Sequence, residues 1–460
     1  MTDALVAEIA RPVPSTDVTA SSELYTRVAW RIVPVMFCCY VLAYLDRINI
    51  GYAQLQMKAD LGFSDAVYGL GAGIFFLGYF LFEVPSNLLL VKVGARKTIT
   101  RIMVVWGLVS AAMAFIHAPW MFYGMRFLLG MFEAGFFPGA ILYLTFWFPG
   151  AYRGRMIALF ASATAIAGLI GGPLSGWIMN DLAGAMGLRG WQWMFIIEGL
   201  PATAIGVFVF CYLDDRPGDA KWLSHGEKAL IEQHLRAEQA PAAGDRAGED
   251  RAAAHGLASL WTNMRDPTIY MLAFSWFAFI CGIYMISFWL PTIIKEMGVA
   301  NPLHVGLLAA IPYGIAIAAT IAIGLHSDRT LERRWHCALP ALCTTVGLIG
   351  LTFSGGHVIL SFAFLSLAAI GTTTVVPLFW SIPTAYLKGA NAAAGIALIN
   401  TLGLIGGFLS PFVLGIIKTS TGSLDWGNWL MAGMMAVGAL VILTQVRPGM
   451  LREVGRGVPS

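Results

Sequence analysis

Twelve long apolar stretches dominate this sequence and restrict its possible folds more than any other feature. Each has about 18 residues or more with few charged side chains, the length that a helix needs to cross a bilayer. Lipid offers backbone amides no partner outside their own helix. We therefore predict an all-α polytopic membrane protein with twelve transmembrane helices, at about 30–53, 66–91, 99–117, 120–148, 156–180, 191–213, 267–294, 303–325, 336–354, 358–386, 392–417 and 427–446.

A polar segment at about 214–266 divides these stretches into two sets of six. It contains the amphipathic run KWLSHGEKALIEQHLRAE and the low-complexity run APAAGDRAGEDRAAAHG. Two nearly equal halves are typical of transporters built from internal repeats. We expect an N-terminal tail over 1–29, a six-helix bundle over 30–213, a linker over 214–266, a second bundle over 267–446 and a C-terminal tail over 447–460.

The positive charges predict the orientation in the membrane. If both termini lie inside the cell, 23 of the 29 Lys and Arg residues fall in cytoplasmic segments. Cytoplasmic loops carry such an excess in membrane proteins. Both tails and the linker are therefore expected in the cytoplasm.

Ionisable side chains within the predicted spans are confined to the first half. A charge at mid-membrane costs at least about 2.5–3.5 kcal/mol on insertion scales, so each should face a cavity or a partner. The second half has no Asp, Glu, Lys or Arg in its span interiors. The sequence therefore indicates charge chemistry in the first half and neutral polar contacts in the second; the six residues are Asp46, Arg47, Glu83, Arg126, Glu133 and Glu198.

Four of these residues form a candidate cluster on the first and fourth predicted spans. Arg126 and Glu133 are seven residues apart and share a helix face, whereas the adjacent Asp46 and Arg47 point about 100° apart. One of the adjacent pair could meet Arg126 while the other faces a cavity. A locked ion pair between the two helices is the structural alternative to proton exchange at a buried carboxylate. Glu83 and Glu198, the other two, stay unassigned.

Neutral groups in the second half are candidates for substrate recognition. Trp380 lies on the tenth predicted span, and Asn400 lies within the eleventh. Tyr44 and Tyr79 could line the same cavity. Packing between helices is the alternative for each of them, because a mid-membrane Asn often bonds a neighbouring helix.

Other functions receive little support from the sequence. A membrane enzyme would need a catalytic motif such as HExxH, which does not occur, and a sensor would need a larger output domain than this linker. The six cysteines and eight histidines are scattered, so we expect no metal and no cofactor. A uniporter or an anion exchanger stays open as an alternative.

Several motifs resemble those of one transporter family. The chain is similar to the anion:cation symporter branch of the major facilitator superfamily over about residues 30–446. The motifs that carry this resemblance are YLDRINIGYA at 44–53, FLFEVPSNLLLVKVGARK at 80–97, RFLLGMFEAGFFPG at 126–139, FIIEGLPA at 195–202 and GLHSDR at 324–329.

The resemblance implies proton-driven uptake of an organic anion by a monomer, with small anions, protons and the bilayer as partners. It implies that Arg47 binds a substrate carboxylate, that Asp46 and Glu133 carry protons, and that Arg126 pairs with these acids. It also implies substrate contacts at Tyr79, Trp380 and Asn400, and a bacterial inner membrane location. Tyr44 is a substrate-binding candidate from its position in the first span alone.

The resemblance extends to the inner-face loops. Gly94, Arg96 and Lys97 match the motif after the second span, but Val91 stands where an acid is usual. If these loops latch the two halves together at the inner face, the first latch is therefore expected to be weaker than usual, or to use a different acid. The loop after the eighth span keeps its acid, at Asp328 and Arg329.

The tenth span bears on the substrate class. Sugar-acid transporters of this family have polar contacts just before the tryptophan, where this chain has Pro377, Leu378 and Phe379. We therefore expect a dicarboxylate or an aromatic carboxylate rather than a sugar acid.

Overall fold

The structure is a computed structural model that describes residues 15–239, 263–355, 357–387 and 390–446. In that part of the chain twelve helical units are long and apolar enough to cross a membrane, which confirms the predicted fold class. We number them as spans 1 to 12: Ser22–Leu61, Asp65–Val93, Ala95–Phe115, Pro119–Thr145, Gly150–Asp181, Gly190–Tyr212, Pro267–Glu296, Pro302–Thr330, Arg334–Phe353, Val358–Tyr386, Ala394–Thr421 and Asp425–Gln445.

Three regions differ from the sequence prediction. The first helix begins at Ser15 rather than near residue 30, and it runs to Ile48 before a second helix, Ile50–Leu61, continues span 1. Span 4 is interrupted and consists of the helices Pro119–Glu133 and Phe136–Thr145. Span 5 is likewise divided into Gly150–Ala161 and Ala163–Asp181.

A helix in the linker, His225–Gln239, contacts the start of the chain. The Tyr25 hydroxyl lies 3.0 Å from His234 Nδ1, and Arg27 forms an ion pair with Glu227. The Ser224 backbone N–H, and then the Arg27 guanidinium, lower the pKa of the Glu227 carboxyl. These polar contacts explain why the first helix extends beyond the apolar stretch. The low-complexity run, residues 240–256, falls entirely outside the described residues.

We call spans 1–6 the first group and spans 7–12 the second group. Within spans 1–6 the closest neighbours are spans 3 and 6 and spans 2 and 4; within spans 7–12 they are spans 9 and 10 and spans 7 and 11. Span 2 packs against span 11 and span 5 against span 8, and these two pairs join the groups.

Glycines allow the two groups to meet closely at one end. A Cβ added to Gly69 would lie 2.2 Å from the Pro411 carbonyl oxygen, and one added to Gly306 would lie 2.0 Å from the Gly172 carbonyl oxygen. The Gln54 amide also donates to the Phe288 carbonyl oxygen at 2.8 Å. All these residues lie toward the end where spans 1 and 7 finish, opposite to the end where span 1 starts and span 12 finishes. We call this the closed end.

Candidate functional site

The interruption of span 4 positions its acidic residue. Glu133 is the last residue of the first helical segment, and Ala134 leaves the helical region with ψ 133°. Gly135 then adopts a left-handed conformation, φ 85° and ψ −4°, which side chains other than glycine rarely adopt. A Cβ there would also lie 2.6 Å from Ser86 Oγ. Broken helices commonly form the binding sites of transporters. The glycine at 135 is the signal that sequence reasoning could have used.

Arg47 and Glu133 form an ion pair between spans 1 and 4. Arg47 Nη2 donates to Glu133 Oε1, and the pair is largely enclosed, with 13% of the Arg47 side chain and 1% of the Glu133 side chain exposed. The guanidinium carbon lies 5.4 Å from the ring centres of both Phe75 and Tyr79. Tyr284, on span 7, approaches the same guanidinium from the second group. The pair therefore lies where the two groups of spans meet.

Asp46 points away from this pair. Its carboxylate accepts hydrogen bonds from the Trp106 indole N–H and the Ser110 hydroxyl of span 3, and from the Asn49 amide at 3.1 Å. The residue is 1% exposed. Sequence reasoning did not identify Trp106 or Ser110, because contacts between helices cannot be read from one helix. The three donors suit an ionised carboxylate.

Arg126 occupies a different environment from the one expected. In the described part of the chain, no ion pair joins it to Asp46 or Glu133, and its two terminal nitrogens have no hydrogen-bond partner. Its Nε donates to the Gly71 carbonyl oxygen at 3.3 Å, and its guanidinium carbon lies 4.9 Å from the Phe75 ring centre. The expected direct pairing of Arg126 with Asp46 and Glu133 is thus corrected. Arg47 forms the ion pair with Glu133, and Arg126 interacts with both acids only through space.

The second group contributes an aromatic cluster beside Asn400. Trp276 Nε1 lies 3.4 Å from Asn400 Oδ1. The Trp276 ring stacks on Phe379 at 4.9 Å and meets Trp380 edge-on at 5.0 Å. An indole N–H only donates, so the contact orients the Asn400 amide nitrogen away from Trp276. Trp276 was missed by sequence reasoning, since a tryptophan in an apolar span gives no signal of its own.

The predicted tyrosines lie on both sides of the junction. Tyr79 is 8% exposed and lies beside Arg47. Tyr44 lies close to Ser287 of span 7, which also approaches Tyr313 of span 8. These contacts bring hydroxyl groups from both groups of spans toward one region.

The predicted loop residues lie at the end opposite the closed end. Gly94 has φ 100°, and a Cβ there would lie 2.9 Å from an Asp215 carboxylate oxygen. The same oxygen accepts from the Arg96 backbone N–H at 2.8 Å, and the Lys97 side chain is exposed. Asp215, which follows span 6, is thus an acid available to the loop after span 2, near whose start Val91 replaces the usual acid.

At the equivalent position, the end of span 8, the acid is Asp328, and its partner is a side chain rather than a backbone N–H. Asp328 forms an ion pair with Arg333 at 2.6 Å, and Arg329 is exposed.

The two unassigned acids also have defined surroundings. Glu83 is partly buried and lies in the electrostatic field of Arg47. Glu198 is 3% exposed and accepts a hydrogen bond from Ser175 at 2.7 Å. Among the residues that the structure describes, no group of three His, Cys, Asp or Glu could hold a metal ion.

Comparison with known proteins settles the family. A sequence model described as Major Facilitator Superfamily matches residues 36–411. The chain belongs to the major facilitator superfamily. The resemblance inferred from the sequence motifs is therefore confirmed, and the protein is an integral membrane transporter.

Relatives cover almost the whole of this superfamily member. A protein of Agrobacterium vitis described as "Putative tartrate transporter" is 46% identical over 93% of this chain and 96% of its own. "Putative metabolite transport protein NicT" of Pseudomonas putida is 41% identical over 91% of this chain and 94% of its own. A crystal structure of a D-xylose-proton symporter has the same fold, with a TM-score of 0.70 at 14% identity over 92% of this chain and 98% of the other.

Proposed function

We propose that this transporter takes up a small organic carboxylate together with protons by alternating access. The observation that carries the proposal is the enclosed Arg47–Glu133 ion pair at the junction of the two groups of spans. Arginine keeps its charge at any physiological pH and can grip a carboxylate with two parallel hydrogen bonds. In the structure the Glu133 carboxylate holds that guanidinium.

Proton coupling follows from this competition. A proton on Glu133 neutralises the carboxylate and frees Arg47 for a substrate carboxylate. The loaded site is then less charged, which lowers the cost of enclosing it. Asp46, next to Arg47 in the chain and held by donors from span 3, is the second proton site of the proposal. Arg126 stabilises the ionised forms of both acids through space.

The aromatic cluster supports a dicarboxylate or an aromatic acid rather than a sugar acid. Trp276 and Phe379 present stacked apolar rings, and Asn400 offers its amide nitrogen as a donor. Few polar groups are available there for the many hydroxyls of a sugar acid. The relative described as a tartrate transporter supports an organic anion.

Orientation and domain movement belong to the same proposal. The excess of Lys and Arg supports a cytoplasmic location for both termini and for the 214–266 linker, with the spans in a bacterial inner membrane. In this orientation the closed end faces outward. The protein acts as a monomer, and its two bundles, 30–213 and 267–446, rock about the central site. Uniport or anion exchange by the same fold is the alternative.

Uptake driven by a pH gradient in proteoliposomes tests the proposal. The screen covers tartrate-like dicarboxylates, aromatic carboxylates and sugar acids, each with and without a protonophore. We expect accumulation of one of the first two classes that a protonophore abolishes. If the substrate only equilibrates across the membrane, with or without the pH gradient, the protein is a uniporter. Preferential uptake of a sugar acid would refute the assignment of the aromatic cluster.

A further inference from the structure

Glu198 is a buried acid that the mechanism above does not use. One of its oxygens, Oε1, accepts from the Ser175 hydroxyl of span 5 at 2.7 Å. The other oxygen, Oε2, has no hydrogen-bond partner among the described residues. No ion pair to a cation is found for it in the same part of the chain. An ionised carboxylate that is enclosed in this way would be costly.

Asn49 connects Glu198 with Asp46. Its amide nitrogen donates to Asp46 Oδ1 at 3.1 Å, and its side chain also interacts with Glu198. Its own oxygen, Oδ1, is buried and lacks a hydrogen-bond partner within the described residues. An ionised Glu198 leaves Oε2 as a buried acceptor without a donor, whereas a proton on Oε2 makes that oxygen a hydroxyl group.

The described groups around Glu198 include no cation that could stabilise its ionised form in place of a proton. The titratable groups that act on it or respond to it are Asp46 and Tyr52, both on span 1. Span 5 faces it with Ser175, and span 3 packs through Ala111 against the neighbouring Gly199. The nearest charge is therefore another carboxylate, which opposes ionisation of Glu198 while Asp46 is ionised.

Access to Glu198 is linked to the closed end. Its partner Ser175 lies between two glycines of span 5 that press on span 8. A Cβ on Gly172 would lie 2.5 Å from the Gly306 carbonyl oxygen, and one on Gly176 would lie 2.5 Å from the Pro302 carbonyl oxygen. When the groups separate at this end, span 5 loses its contacts with span 8 at Gly172 and Gly176, the glycines on either side of Ser175.

We propose that Glu198 is a further proton-coupling residue, protonated while Asp46 is ionised, that exchanges one proton per cycle when the closed end opens. When the closed end opens, the O–H bond at Oε2 breaks as the proton passes to the Asp46 carboxylate, and a proton from the outer side restores the O–H bond. Asp46 later releases the transferred proton to the cytoplasmic side, so that one proton crosses the membrane per cycle. The inference rests on the proposed proton symport, but the state of Glu198 in the closed form can be measured without transport.

The first test is infrared spectroscopy of the purified protein at neutral pH. The Glu198→Gln variant should lack one carbonyl band of a protonated carboxylic acid that the wild type shows. Ser175→Ala is the matched control, because it removes the hydrogen bond to Oε1 and should shift that band without removing it. Identical carboxylic-acid bands in wild type and Glu198→Gln would overturn the proposal.

The second test compares net accumulation with exchange in proteoliposomes, using radiolabelled tartrate as the probe. Each coupled proton contributes about 2.3 kcal/mol at a proton-motive force of about 100 mV, and tenfold corresponds to about 1.4 kcal/mol. Loss of one proton should therefore lower the accumulation ratio of Glu198→Gln about 50-fold. Counterflow, which needs no net proton movement, should stay within about twofold of wild type.

Two outcomes of the transport test contradict the proposal. Unchanged accumulation would make Glu198 a static acid, and parallel loss of accumulation and counterflow would make it a packing residue. If the wild type shows no gradient-driven accumulation, the proposed symport fails, and the infrared test still decides whether Glu198 carries a proton.

Discussion

Replacement of Glu133 by Gln tests the competition for Arg47 directly. The change keeps the size of the side chain but removes the negative charge that holds the guanidinium. A hydrogen bond to a charged group contributes about 1.5–3 kcal/mol, so its loss should raise the affinity for the substrate carboxylate at high pH about ten- to a hundredfold. In the wild type, affinity should rise as the pH falls, because protonation of Glu133 frees Arg47. In Glu133→Gln this dependence should disappear.

Equilibrium binding to the detergent-purified protein across pH is the assay. Glu83→Gln is the matched control: Glu83 lies in the field of Arg47 but forms no ion pair with it within the described residues. Its effect should be about fivefold or less, as for a partly exposed charge. If Glu133→Gln keeps the wild-type pH dependence, the proposed role of the ion pair is wrong.

Three further substitutions examine other parts of the structure. Arg47→Lys keeps a charge but loses the planar fork, so substrate affinity should fall about tenfold or more in the same binding assay; wild-type affinity would exclude a two-bond grip. Gly306→Val should prevent closure and increase the labelling of a cysteine introduced at the closed end. Gly314→Val, whose Cβ would meet only a side-chain atom at 3.6 Å, should not increase it; equal labelling of the two variants would refute the close packing. Asp215→Asn removes an anion from the start of span 3 and should lower thermal stability by about 0.3–1 kcal/mol, a loss that an unchanged melting temperature would contradict.

The candidate site was predictable only in part. Its charged members were identifiable, because an ionisable residue inside an apolar span needs a partner or a cavity. Their pairing was not. Adjacent positions determine that Asp46 and Arg47 point in different directions, but not which neighbouring span each one meets. Span 3 supplied Trp106 and Ser110, two residues that look ordinary in an apolar sequence.

The sequence by itself determined the twelve spans and the confinement of charge to the first half. Both follow from the local cost of placing backbone amides and charges in lipid. Only the tertiary structure decided that Glu133 forms an ion pair with Arg47, that Asp215 accepts a hydrogen bond from the loop after span 2, and that Trp276 orients Asn400. Each of these is a contact between residues far apart in the chain, which depends on how helices rotate and pack rather than on the composition of any one of them.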